Sequence, residues 1–334
     1  MGGQAGPAVR PLPRGELSAA LLDALAADPG RGRLPGRALA EEADVYGDDL
    51  QLALYLCYEL HYRGWQGVSD DWEWDPGLLG LRRLLEQRFT AALRVDVPYG
   101  DDARAALEEL VTERPDGRGV THFLRDRGHW WQLQEYAVHR SLYQLKEADP
   151  HAWMIPRLTG RAKAALATVE YEEFGAGRAE RVHAELFAGL MQDLALDDTY
   201  GHYLDAVPAA TLATVNLMSL FGLHRARRGA LVGHFAVLEC TSPPASRRLM
   251  EAMQRLGAGP AATGFYAEHV EADAVHEQLV RHEVVGDLLE REPRLAADVC
   301  FGIAATGLLE DRFAGHVLGA WEAGGSSLRT RPSV

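Results

Sequence analysis

Apolar residues recur along most of this chain at steps of three and four, the period of amphipathic helices, and the strict alternation that marks strands is not evident. The pattern predicts helices at about 38–65, 78–94, 100–113, 129–148, 158–174, 179–195, 209–223, 228–241, 244–256, 264–290 and 294–321. The breaks carry ordinary stop signals: Asp149-Pro150, Gly175-Ala-Gly177, Ser242-Pro-Pro244 and Glu292-Pro293. Residues 1–37 mix Gly, Pro and Arg and read as a largely disordered lead, interrupted by a short helix over about Glu16–Ala27. Asp70–Gly77 is an acidic, turn-rich break, and Glu113–Gly119 is the predicted linker. The expected organisation is a lead (1–37), an N-terminal helical region (38–120) and an all-α bundle (121–325). No repeat of solenoid length is found.

Composition narrows the classes of function. At 334 residues and 47% hydrophobic, the chain can bury a sizeable core. A net charge of −14 without a basic stripe argues against nucleic-acid binding. Nothing approaches the run of roughly 18 apolar residues that would cross a membrane. The first residues also lack the apolar segment of a secretion signal. Cys57, Cys240 and Cys300 are far apart, which suggests a reduced cytoplasmic setting and neither a disulfide framework nor a zinc-thiolate site.

The chemistry centres on Phe265–Val280, a stretch without Gly or Pro. Phe265, His269, Asp273, His276 and Val280 share one helical face whose ends are apolar. Two imidazoles and a carboxylate facing a core need a partner, and a metal ion is a natural one. Other segments offer further ligands. His183 lies on a stripe with Phe187, Leu190 and Leu194, and the glycine break at 175–177 can return Glu173 toward it. Glu239 ends a nearly uncharged run and shares a face with Val232 and Phe235. In the 129–148 helix, periodicity prefers Glu135, on the stripe Trp131, Val138, Leu142 and Leu145, over Glu147. Oxygen and nitrogen donors without thiolates suit iron or manganese, and this many carboxylates suits two ions.

Glu180-Arg-Val-His183 also fits the Glu-x-x-His template of ferritin-like sites, so a ferritin-like metal oxidase or iron store is one rival. A non-catalytic helical binding protein with hydrogen-bonded core histidines is the other. A lone histidine on an apolar face is usually such a core residue, and His61, His139, His224 and His234 are read that way. Glu170 and Glu172 read as solvated or as neighbours of the site. Asn216 must find a partner inside an apolar helix. Arg157, Arg161, Arg178 and Arg181 are candidates to hold a substrate carboxylate.

Taken in order, several segments resemble the haem-oxygenase-like diiron oxidase and oxygenase superfamily of iron-containing redox enzymes. They are Leu145–His151, Tyr171–Gly177 with Arg181–Phe187, Leu231–Glu239 and, most specifically, the His-x3-Asp-x2-His of 269–276. The resemblance covers about 120–321 and implies seven ligands: Glu147, Glu173, His183, Glu239, His269, Asp273 and His276. It selects Glu147 against the periodicity and leaves Glu180 beside the site. It implies two Fe(II) ions, with Mn as an alternative metal, and O2 as co-substrate. The reaction would be oxidation of a small molecule, such as N-oxygenation of an amine or amino acid, or C–C cleavage or desaturation. An external electron donor and a homodimer formed through the N-terminal helices complete the expectation.

Overall fold

The computed structural model describes residues 6–112 and 118–330. Most of the predicted linker, residues 113–117, lies outside the described residues, as do 1–5 and 331–334. The described chain is all-α, with an isolated bridge between Ala8 and Trp65 in place of strands. The N-terminal region holds α1 (Glu16–Leu25), α2 (Arg37–Glu42), α3 (Asp48–Glu59), α4 (Pro76–Asp96) and α5 (Ala103–Leu110). The bundle follows with α6 (Val120–Arg127), α7 (Trp130–Gln144), α8 (Asp149–Ala152), α9 (Gly160–Glu173) and α10 (His183–Asp193). It closes with α11 (Ala209–Gly222), α12 (Arg228–Leu256), α13 (Pro260–Gln278), α14 (Gly286–Arg291) and α15 (Ala296–Glu322).

The bundle is built around α11 and α12. Every residue from Thr211 to Gly222 is buried, because α3, α12 and α15 pack around α11. The crossing of α12 with α15 is made by glycine. A Cβ on Gly233 would collide with the Val299 carbonyl, and one on Gly302 with the Ala230 carbonyl. The two backbones therefore meet with no side chain between them.

Several helical boundaries differ from the sequence pattern, beginning with the predicted 38–65 helix, which is divided into α2 and α3 and ends at Glu59. No helix ends at Ser242-Pro-Pro244; α12 runs through Pro243 and Pro244. The prolines remove the amides that would bond the Glu239 and Cys240 carbonyls. Packing against α13, α15 and α6 holds the helix together across that gap. The predicted 264–290 helix starts earlier, at Pro260, and widens into a π-helix over Leu279–Val285 before α14. Helix α6 was not foreseen; it covers the start of the bundle by packing on α12.

Within residues 6–36, read from sequence as a largely disordered lead, the expected short helix forms as α1 and packs onto α3. Leu17, Leu21, Ala24 and Leu25 are buried, each leucine contributing roughly 2 kcal/mol of apolar burial. Asp49 of α3 caps α1 by accepting the Leu17 and Ser18 amides at 3.0 and 2.7 Å. The fully buried Arg14 side chain donates to Asp48 at 3.0 Å. Composition missed this packing because the partners are supplied by α3, more than thirty residues away. The N-terminal helices also share one hydrophobic core with the bundle. Asn216 of α11 finds its partner there, donating to the Gln51 carbonyl and side chain at 2.8 Å each.

Candidate metal centre

Local backbone geometry delivers each candidate ligand. Helix α9 ends at Glu173, and Gly175, Ala176 and Gly177 then take φ values of 77°, 52° and 82°. Those left-handed residues fold the chain back, so that α10 opens with His183. Helix α7 stops at Gln144, and the turn that follows, with Ala148 at φ 71°, turns Glu147 inward. Glu239 lies in the middle of α12, while His269, Asp273 and His276 lie on the inner face of α13.

All seven side chains are buried. Six of them form two groups, Glu147 with His183 and His269, and Glu173 with Glu239 and His276, each offering ligand atoms within 4.8 Å of one another. Glu173 joins the groups. Its Oε2 lies 2.7 Å from His183 Nδ1, and its Oε1 lies 3.6 Å from His276 Nδ1. Asp273 Oδ1 is also 3.6 Å from His276 Nδ1, and Glu239 Oε2 is 3.3 Å from it. In the first group His269 Nε2 is 3.5 Å from Glu147 Oε1.

The rings are oriented from behind. His269 Nδ1 donates to the Phe265 carbonyl at 2.8 Å, leaving Nε2 directed at the first group. His276 Nε2 donates to Glu172 at 2.7 Å, leaving Nδ1 directed at the second. Glu147 Oε2, His269 Nε2 and His276 Nδ1 are then buried without a hydrogen-bond partner, and His183 Nδ1 meets Glu173 at a short distance but not at a hydrogen-bonding angle. Such orphaned atoms are rare in native cores. Here they converge, all oxygen or nitrogen, which is the donor set of a hard or intermediate cation such as iron.

Without that cation, protons play its part. Burial pushes the Glu239 carboxyl up to about 8, against the pull of His276. Burial likewise raises Glu147, opposed by His269. Burial acts to lower His269, but the Glu147 carboxylate overrides it and lifts the imidazole to about 10. Burial also acts against His276, yet Asp273 and Glu239 carry it to about 11. Four buried carboxylates call for positive charge.

The iron-containing redox enzyme family matches residues 134–311, more than half of the chain. The chain belongs to that family, within the haem-oxygenase-like superfamily. A comparison with curated proteins gave no match. An iron-dependent oxidative function follows from the family, and the buried carboxylate–imidazole groups are where this iron-containing redox enzyme can hold the metal.

Several other sequence candidates lie elsewhere in the enzyme. Glu135, which periodicity preferred, accepts from Trp321 Nε1 at 2.9 Å and from Ser327 Oγ at 2.6 Å, so it is already satisfied. Glu180 is exposed on a 3₁₀ turn (Ala179–Arg181), and extended backbone at Val182 separates it from α10. It therefore does not share a helical face with His183, as the ferritin-like template requires. Glu172, read as solvated or as a neighbour, is the residue behind His276. Glu170, one turn before Glu173, is buried with both oxygens unpaired and is pushed up to about 9, chiefly by burial and then by Glu173.

The four candidate arginines do not meet at the site. Arg157 donates to the Gly222 and Leu223 carbonyls, Arg161 pairs with Asp287 and Glu290, Arg181 pairs with Glu268, and Arg178 is exposed. Two other arginines, Arg118 and Arg140, line the centre's cavity, and periodicity singled out neither. Arg140 of α7 pairs with Glu310 of α15 through two bonds of 2.9 and 2.8 Å, on the wall of a cavity of about 480 Å³. Glu173, Glu239, His269 and Asp273 line the same cavity. Glu310 lies on α15, which carries no candidate ligand, and only the fold places it opposite Arg140. The four histidines read as core residues each have a partner: His61 meets Glu73 at 3.0 Å, His139 meets Thr211 at 2.7 Å, His234 meets Thr306 at 2.9 Å, and His224 meets Glu86 at 2.9 Å.

Proposed function

We propose that this iron-containing redox enzyme is a non-haem diiron oxidase or oxygenase that uses O2 to oxidise a small molecule. N-oxygenation of an amine or amino acid is the leading reaction, with oxidative C–C cleavage or desaturation at the same site as the alternative. One observation carries the two-ion reading: the Glu173 carboxylate presents one oxygen to each group of candidate ligands. Glu147, His183 and His269 would hold one ion, Glu239, Asp273 and His276 the other, with Glu173 shared. Two ferrous ions in those positions would supply electrons for reducing O2.

The chain's own residues do the rest. Glu172 keeps the proton on His276 Nε2, and the Phe265 carbonyl keeps the one on His269 Nδ1, so both rings present lone pairs inward. Phe265, Val215, Met218 and Leu249 give the cavity apolar walls that limit water, and its size suits a small molecule. Arg140 and Glu310 supply the charged groups that could orient a polar substrate. An external electron donor and a homodimer made through the N-terminal helices belong to the same proposal.

Anaerobic titration of metal-free protein with Fe(II) tests the reading. We expect two irons per chain and a burst of O2 uptake on aeration that scales with iron loaded. Failure to bind stoichiometric iron would sink it, and one iron per chain would remove the diiron part.

A further inference from the structure

Glu147 is the candidate ligand that helical periodicity did not select, and the reason is geometric. Had α7 continued regularly, Glu147 would sit two residues, about 200°, beyond the core-facing Leu145 and point away from the core. The chain instead breaks after Gln144 and passes through Ala148 at φ 71°. A left-handed alanine costs on the order of 1 kcal/mol and persists only where its surroundings impose it.

The surroundings come from the end of α3 and the residues just after it. Lys146 Nζ bonds Glu59 Oε2 at 2.9 Å, and both side chains are fully buried, at 1% and 0% exposure. The ammonium lies 4.3 Å from the ring centre of Tyr62 and 5.0 Å from that of Tyr55. Tyr200 donates to the other Glu59 oxygen at 2.7 Å, so the carboxylate is fixed as well. Arg63 donates to the Leu145 carbonyl at 3.0 Å, one of the carbonyls left open where α7 ends. Two consecutive residues at the start of the bend, Leu145 and Lys146, are thus held by the N-terminal region.

A buried Lys–Glu pair is weak evidence for added stability, because an apolar pair of similar volume often stabilises as much or more. What the pair fixes is geometry. We infer that Glu59, Lys146 and Arg63 are positioning residues: the N-terminal region clamps the 145–148 turn and thereby aims Glu147 at the metal centre. The inference rests on the reading of Glu147 as a ligand, and it gives the N-terminal helices a role inside one chain.

Mn(II) titration of the metal-free full chain, followed by electron paramagnetic resonance at a temperature where every variant is folded, tests the inference. In the Glu59→Gln/Lys146→Gln double variant, which leaves no lone buried charge, we expect one of two Mn(II) sites to weaken by about 10- to 100-fold, the usual cost of removing a group that orients a ligand. Arg63→Met should shift the same site in the same direction by less. Because Arg63 is exposed, that variant keeps the test open if the double variant fails to fold. Phe89→Leu, in the buried core of α4, should lower the melting temperature yet leave both sites unchanged.

If Glu147→Ala loses a site while the clamp variants bind like the parent, the positioning role is overturned. It is equally overturned if Phe89→Leu weakens binding as much as the clamp variants do. If Glu147→Ala itself binds both ions normally, the ligand reading has failed, and the inference with it.

Discussion

Each buried carboxylate at the centre sits in a medium that penalises charge, and in the metal-free chain protons are the cations at hand. The sign of the pH dependence follows. The imidazoles of His269 and His276 rise from the ordinary value near 6.5 to about 10 and 11, and Glu239 rises to about 8. A raised folded-state value contributes stability that is complete below the unfolded value and is lost as pH climbs through the folded one. The metal-free protein should therefore melt progressively lower between about pH 7 and 10, while added Mn(II), which displaces those protons, should raise the melting temperature more at the alkaline end. Differential scanning fluorimetry with and without Mn(II) checks both slopes, and a metal-free melting temperature that rises over this range would contradict the assignment.

Two substitutions separate neighbours at the same scale. Glu173→Ala should abolish binding of both ions, and Glu180→Ala should leave metal content unchanged, since Glu180 is exposed and on another turn. Metal analysis of the two variants decides, and the reverse pattern would restore the ferritin-like reading. Glu172→Gln should weaken one ion by about 10- to 100-fold while leaving the other in place, as loss of a group behind a ligating imidazole does.

At the scale of elements, what was legible depended on whether a regular period carried it. His269, Asp273 and His276 share a helix face wherever that helix goes, so their convergence was readable from spacing. His183 and Glu173 were readable as a pair because the glycine break between them has one obvious use. Glu147 was different: the turn that aims it is not written in α7 but imposed by Glu59 and Arg63 of a distant segment. The prolines misled for a related reason, since tertiary packing carries α12 across a local stop signal. The glycine crossing gives an element-scale prediction. Gly302→Ala pushes a methyl into the Ala230 carbonyl and should cost about 1–3 kcal/mol or more of unfolding free energy, whereas the same change at Gly307, which has open space, should be near neutral. Chemical denaturation of both variants measures the difference.

The whole molecule shows that the predicted division near residue 120 does not separate two cores. Helix α3 buries one side of α11, and Gln51 satisfies Asn216 across that contact. A chain beginning at residue 118 should consequently expose that apolar face and Asn216, and should aggregate or bind an apolar dye where the full chain does not. A soluble, cooperatively melting fragment would show the contact to be dispensable. Among the described residues no helix is long and apolar enough to cross a membrane.

The sequence by itself determined the helical class, the inward face of the 265–280 stretch, and a donor set of carboxylates and imidazoles without thiolates. These are properties of composition and of a 3.6-residue period, which act over a few turns of chain. Tertiary structure alone decided that Glu147 and not Glu135 joins the group, that Glu172 stands behind His276 while Glu180 faces water, and that Arg140 meets Glu310 over the cavity. Each of those outcomes depends on a partner supplied by another helix, and a local pattern carries no record of which distant side chain will complete it.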